Sequence, residues 1–205
     1  MNIRNFFFKY RSYTPLPLAI GILYFASPIH AVLEVGIVLL VLGEFIRIWS
    51  VRYAGGATRT TAVGAPFLCT SGPFSVVRNP LYIGNMMIYT SFVLIAGNEN
   101  LWVMIGIIWI FFIVQYGMIV LLEENTLYSL FGDEYNVYRK NVSALIPRVS
   151  PWRGGTSTKP GRLLKTLKTA DKYLVNIDDH KKVNFPFDLQ VIPYLGGGNF
   201  IYEFS

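Results

Sequence analysis

"LWVMIGIIWIFFIVQYGMIVLL" occupies residues 101–122 and carries no charged side chain; Gln115 is its one strong polar group. A helix needs about 20 apolar residues to cross a bilayer, so this run qualifies by itself. Three further apolar stretches surround it. Residues 31–51 are interrupted only by Glu34, Glu44 and Arg47, residues 80–97 follow an Asn-Pro pair, and residues 16–26 are short and bounded by Pro15, Pro17 and Pro28. Basic residues ahead of that short stretch, with a small residue at Ala31, also fit a secretory signal. The prolines and the immediate second apolar run favour a helical hairpin instead.

Composition agrees with a membrane solvent. Of 205 residues, 53% are hydrophobic and 15% charged, where a water-soluble domain carries about 25% charged residues. Mean hydropathy is +0.42. Cys69 is the single cysteine, so no internal disulfide framework exists. The net charge of +6 invites a nucleic-acid reading, but its placement argues against one. Lys and Arg fall before the first apolar stretch (Arg4, Lys9, Arg11), between the second and third (Arg52, Arg59, Arg78), and after the fourth; the loops "SPIH" and "NEN" hold none. The positive-inside rule then predicts an all-α, multi-pass integral membrane protein of about four spans, with both termini and the second loop cytoplasmic.

The periodicity predicts that the fourth helix runs on through "EENTLYSLFG" to a stop at Gly132, with Asp133 capping a following helix that places Tyr135, Tyr138 and Val142 on one face. Asn79 and Pro80 suit the cap and first turn of the third span. Residues 1–153 read as one membrane domain. Residues 154–205 read as a basic cytoplasmic tail, in which Leu163, Leu164, Leu167, Ala170 and Leu174 form the apolar face of an amphipathic helix suited to an anionic membrane surface or to packing on the protein. "LGGGNF" lacks the strand and helix of a phosphate loop.

Chemistry-bearing residues concentrate on the predicted cytoplasmic side. Glu123 and Glu124 close the longest apolar run, where a carboxylate is expensive unless it faces protein, water or a cation. His30 falls on the opposite side and His180 in the tail, no His/Cys set has zinc spacing, and no Ser–His–Asp pattern occurs, so no metal is expected.

"SGPFSVVRNPLYIGN" (71–85) and "EENTLYSLFGDEYNVYRKNVSALIPR" (123–148) together resemble the isoprenylcysteine carboxyl methyltransferase family, and the related membrane phospholipid methyltransferases share much of the pattern. The resemblance covers residues 68–148, in two blocks of the right order and separation. It implies a small bundle of transmembrane helices whose cytoplasmic half holds S-adenosylmethionine. Matched by position, it implies that Leu68, Cys69, Thr70 and Phe74 line the cofactor loop and that Arg78, Asn79, Pro80, Leu81 and Tyr82 contact the cofactor. Glu123 and Glu124 would face the pocket as catalytic carboxylates, and Tyr135, Tyr138 and Arg139 would cover it.

The implied acceptor is a lipid-like or prenylated molecule arriving from the bilayer, with carboxyl O-methylation ahead of phospholipid N-methylation; a non-enzymatic membrane scaffold is the rival reading. This chain departs from the pattern at three positions. Asn79 stands where the family has a histidine and Phe74 where it has a tyrosine. Ile119 stands where eukaryotic prenylcysteine enzymes place an arginine suited to the substrate carboxylate.

Overall fold

The computed structural model describes residues 3–11, 13–54, 67–155 and 159–161. The described residues form five α-helices and no strand: α1 Ile3–Lys9, α2 Leu16–Tyr24, α3 His30–Ala54, α4 Pro80–Ala96 and α5 Leu101–Asn141, with a single 3-10 turn at Gly72–Ser75. The amphipathic helix expected at 163–174, the "LGGGNF" segment, Arg59 and most of the loop after α3 lie outside the described residues.

Among the described residues, α5 is the one helix long and apolar enough to cross a membrane unaided. Only 33% of its most apolar 18-residue window is buried inside the protein, which distinguishes it from the core helix of a water-soluble fold. Val38, Val41, Leu42 and Phe45 of α3 point outward, as do Trp102, Ile110, Ile113 and Val114 of α5. An apolar exterior on this scale is favourable in hydrocarbon rather than water. At 1.5 Å per residue the nine residues of α2 reach about 14 Å, roughly half the hydrocarbon thickness. Helix α1, which sequence reading assigned only as a basic leader, packs its Phe8 into the core and contacts α5.

Helices α3 and α4 make the most extensive helix pair. Their approach is close because glycines face each other. A methyl group built on Gly84 would lie 2.6 Å from Arg47 Cγ and 3.0 Å from the Gly43 carbonyl. In lipid, where apolar burial between helices gains little, such small-residue contact supplies van der Waals packing instead. The main core cluster holds Phe8, Ile22, Tyr89, Val93, Ile108, Phe112, Tyr116 and Ile119, so α1, α2, α4 and α5 share it. At the far end the two predicted outer loops meet: the Ser27 N–H donates to the Gly97 carbonyl (3.2 Å) and the Asn98 amide to that of Phe25 (2.8 Å).

The break expected at Gly132 is present: Gly132 takes φ 50° and ψ −120°, a conformation only glycine adopts readily, and a second helical stretch follows it to Asn141. The first 22 residues of α5 rise about 33 Å, enough to cross the hydrocarbon, which puts Glu123 at the boundary and the kinked remainder beyond it. Replacing Gly84 by Val should destabilise the α3–α4 contact by about 2–3 kcal/mol through overpacking. A lowered thermal midpoint in detergent, larger than that of Gly117→Val on the open face of α5, checks this.

Candidate active site

Most of the hydrogen bonds that shape the site join the first sequence block to α5 or to the segment that leaves it. Tyr82, in the first turn of α4, donates its hydroxyl to Glu123 Oε1 at 2.8 Å. Its ring stacks on Tyr116 of α5 with centroids 4.3 Å apart, and the Tyr116 hydroxyl accepts from the Asn85 amide at 3.1 Å. Tyr82 and Asn85 are one turn apart on α4, while Tyr116 and Glu123 are two turns apart on α5. The two helices therefore present a matched polar and aromatic seam.

Arg78 forms the second junction. Its Nη2 donates to Glu124 Oε1, and its Nη1 donates to the carbonyls of Arg139 (2.8 Å) and Val142 (2.5 Å). Glu124 Oε2 takes Arg139 Nε at 3.3 Å. One guanidinium thus neutralises a buried carboxylate and satisfies carbonyls at the C-terminal end of α5, where a cation also opposes the helix dipole favourably. The side chains of Arg78 and Glu124 are each 10% exposed, whereas Arg139 is 55% exposed.

The third junction is backbone. The Arg78 and Asn79 N–H groups donate to the carbonyls of Ser143 (2.9 Å) and Ala144 (3.2 Å), and Arg148 and Trp152 donate back to Val76 and Ser75 (2.9 Å each). The segment leaving α5 therefore straps the 3-10 turn in place. Tyr138 donates to the Phe74 carbonyl at 2.6 Å and packs with Leu68, Tyr135 and Val142, with Trp152 against its ring. Burial first, and then the Glu124 charge, push the Tyr135 hydroxyl up to about 12, with Arg78 pulling the other way. Burial likewise raises Tyr138. Both phenols are therefore neutral donors at physiological pH.

Two expectations need correcting in detail. Asn79 does occupy the position before α4, and Pro80 its first turn, but the Asn79 side chain makes no capping bond. It donates instead to the Ala144 carbonyl at 3.1 Å, binding the two blocks together. Glu123 and Glu124, alike in sequence, are also not alike in place: Glu124 is held by two arginines, while Glu123 is engaged by Tyr82.

Thr70 and Leu68 are buried, Cys69 and Leu81 are partly buried, and Phe74 contributes its carbonyl. Ile119 is fully buried in the apolar core and offers no cation there.

Sequence reading missed Tyr116 and Asn85, whose spacing from Glu123 and Tyr82 was the available signal.

Residues 31–134 match the phospholipid methyltransferase family model, and the chain belongs to that family. It is 34% identical over 80 residues to methanethiol S-methyltransferase 1 of Bradyrhizobium diazoefficiens, covering 39% of this chain and 25% of that protein. It is 31% identical over 122 residues to the cobalt-zinc-cadmium resistance protein CzcN of Cupriavidus metallidurans, and 27% over 123 residues to the nickel-cobalt-cadmium resistance protein NccN of Alcaligenes xylosoxydans xylosoxydans. Each of those two alignments covers 60% of this chain, and 52% and 53% of the respective proteins. The chain thus spans about half or less of the curated relatives it matches. No solved structure matches it significantly. Among the described residues no three His, Cys, Asp or Glu side chains group as a metal site.

Glu124→Gln should cost about 3 kcal/mol, because Arg78 is left buried without its counter-charge. Arg139→Gln, which removes a largely exposed partner, should cost under about 1 kcal/mol. Thermal unfolding of both variants in one detergent checks the ratio; equal losses would show that the Arg78 pair does not hold the two blocks together.

Proposed function

We propose that this chain is a membrane-embedded methyltransferase that uses S-adenosylmethionine and acts on a lipophilic acceptor, with carboxyl O-methylation of an isoprenylcysteine-type molecule as the first reading. The observation that carries it is the Tyr82–Glu123 hydrogen bond, which brings the two family blocks together at one end of the apolar helices.

The residues present suit the donor. A carboxylate at Glu123 beside the stacked faces of Tyr82 and Tyr116 is an environment that attracts a cation, through charge and through the ring quadrupoles. Leu68, Phe74, Leu81, Tyr135 and Tyr138 supply apolar and aromatic walls, and Arg78, Asn79 and Arg139 supply N–H donors. Thr70 and Cys69 complete the loop beside them. When bound, the cofactor would supply a sulfonium-borne methyl group for in-line displacement, the carbon–sulfur bond breaking as the acceptor's bond to carbon forms.

The protein's part is alignment and exclusion of water. A carboxylate acceptor needs no base. A phospholipid ammonium must first lose a proton, and Glu123, rather than the doubly paired Glu124, is placed to take it. The phospholipid methyltransferase match favours this N-methylation as the second reading.

The segment holding α1 and α2, with helices α3, α4 and α5, would form the four membrane segments of this reading, with both termini and the site cytoplasmic, as the Lys and Arg distribution supports. Cys69, the single cysteine and partly exposed, should then react with an impermeant maleimide in inside-out vesicles and not in right-side-out ones.

Glu123→Ala and Tyr82→Ala should each weaken S-adenosylmethionine binding by roughly tenfold or more, while Glu34→Ala near the start of α3 leaves it unchanged. Calorimetry in detergent measures this. The same affinity in all three variants would remove the pocket assignment, and no affinity in the wild type would favour a scaffold.

A further inference from the structure

The strap that leaves α5 carries two aliphatic side chains that stand out from the protein. Ile146 is 74% exposed and Val149 is fully exposed, more than any other large aliphatic side chain among the described residues. Both project from a fixed backbone. Between them the Arg148 N–H donates to the Val76 carbonyl at 2.9 Å. The Arg148 guanidinium donates to the carbonyls of Ser150 and Asn141, and Pro147 and Pro151 stiffen the same stretch.

The depth of this tip follows from the bonds of the strap. Tyr82 meets Glu123, which stands where α5 has crossed the hydrocarbon. Asn79 precedes Tyr82 by one helical turn, a rise of about 5 Å. The Asn79 N–H and side-chain amide both donate to the Ala144 carbonyl, so the strap passes at that level. Glycerol and head groups occupy roughly 5–7 Å beyond each face of the hydrocarbon, and Ala144 falls within that layer. Helix α4 agrees, because its 17 residues rise about 26 Å, slightly less than the hydrocarbon thickness. Its ends therefore stand at the polar layers rather than beyond them.

Charge on the strap suits the same place. Residues 135–155 hold Arg139, Lys140, Arg148 and Arg153 and no Asp or Glu, and Lys140 and Arg153 are exposed. Aliphatic side chains beside cations fit an anionic leaflet, where acyl chains receive the first and phosphates the second.

We propose that residues 145–149 form an interfacial anchor: Ile146 and Val149 insert among the lipids of the leaflet that borders the site, and Lys140 and Arg153 hold anionic head groups beside them. This rests on the membrane placement given under the proposed function and not on methyl transfer. Insertion removes two aliphatic side chains from water. Through the Asn79–Ala144 bonds it also holds the start of α4, and Tyr82 with it, at a set depth in the leaflet.

Photo-crosslinking in the full chain tests the anchor. The photoreactive residue p-benzoylphenylalanine replaces Ile146, Val149, Ile110 or Glu134, one at a time, in nanodiscs of phosphatidylcholine and phosphatidylglycerol. Ile110 faces outward from the middle of the apolar run of α5 and reports hydrocarbon. Glu134 is exposed beyond Gly132, which lies about 14 Å of helix past Glu123, and reports water. After illumination, intact-protein mass spectrometry should show the mass shift of one phospholipid at positions 146, 149 and 110 and no shift at 134. The ratio of phosphatidylglycerol to phosphatidylcholine adducts at position 149 should exceed that at 110 by roughly threefold. Lys140→Gln with Arg153→Gln should bring the two ratios together.

Crosslinks from 146 and 149 to residues 162–205, to a second copy of the chain, or to nothing, while 110 still captures lipid, overturn the proposal. Equal lipid capture at 134 and 149 overturns it as well, because contact would then not mark the tip. Equal adduct ratios at 149 and 110 in the unsubstituted background overturn the part given to Lys140 and Arg153. Absence of lipid at 110 would remove the membrane placement and the anchor with it. Failure to bind S-adenosylmethionine would remove the methyltransferase reading and leave the anchor standing.

Discussion

Arg78 carries more of this structure than any other side chain. Its guanidinium donates to two carbonyls at the end of α5 and neutralises Glu124 inside the protein, while its own backbone N–H makes one of the bonds that hold the exit strap. A buried guanidinium needs its charge matched, and Glu124 does this from the middle of α5 while the Arg139 and Val142 carbonyls take two of its N–H bonds at the helix's end. The pairing is thus a long-range clamp. It forces the loop before α4 and the segment after the Gly132 kink to share one location, and the Tyr82–Glu123 contact depends on that coincidence.

The helices around the clamp divide the work by solvent. Their outward faces are apolar and suit hydrocarbon, while the seam between α4 and α5 turns from apolar to polar as it approaches Glu123. Stacked tyrosines suit this transition because each has an apolar body and a hydroxyl that can reach a partner. Tyr116 answers Asn85 and Tyr82 answers Glu123, so neither hydroxyl nor carboxylate is stranded at the boundary. Close contact between Gly43 and Gly84 fixes where α4 stands beside α3, and through that contact sets the position of Tyr82.

The two carboxylates are held differently in consequence. Glu124 is locked between two arginines and is structural in its bonding, whereas Glu123 takes a single neutral donor. Identical neighbouring residues on a helix point about 100° apart, and here that rotation alone separates a clamp from a candidate reactive group.

The amino-acid sequence by itself determined the solvent and the segments: an uncharged run of 22 residues can be little else than a membrane-grade helix, and Gly132 marked the place where that helix bends. The two motif blocks were also legible, because their residue types and spacing are local properties of the chain. What tertiary structure alone decided was the division of labour between Glu123 and Glu124, the use of the Asn79 amide on Ala144 rather than on its own helix, and the anchoring of the Arg11 carbonyl and Thr14 hydroxyl on Gln115. Each depends on which distant atom lies within hydrogen-bonding or Coulombic reach, and no spacing along the chain encodes that distance.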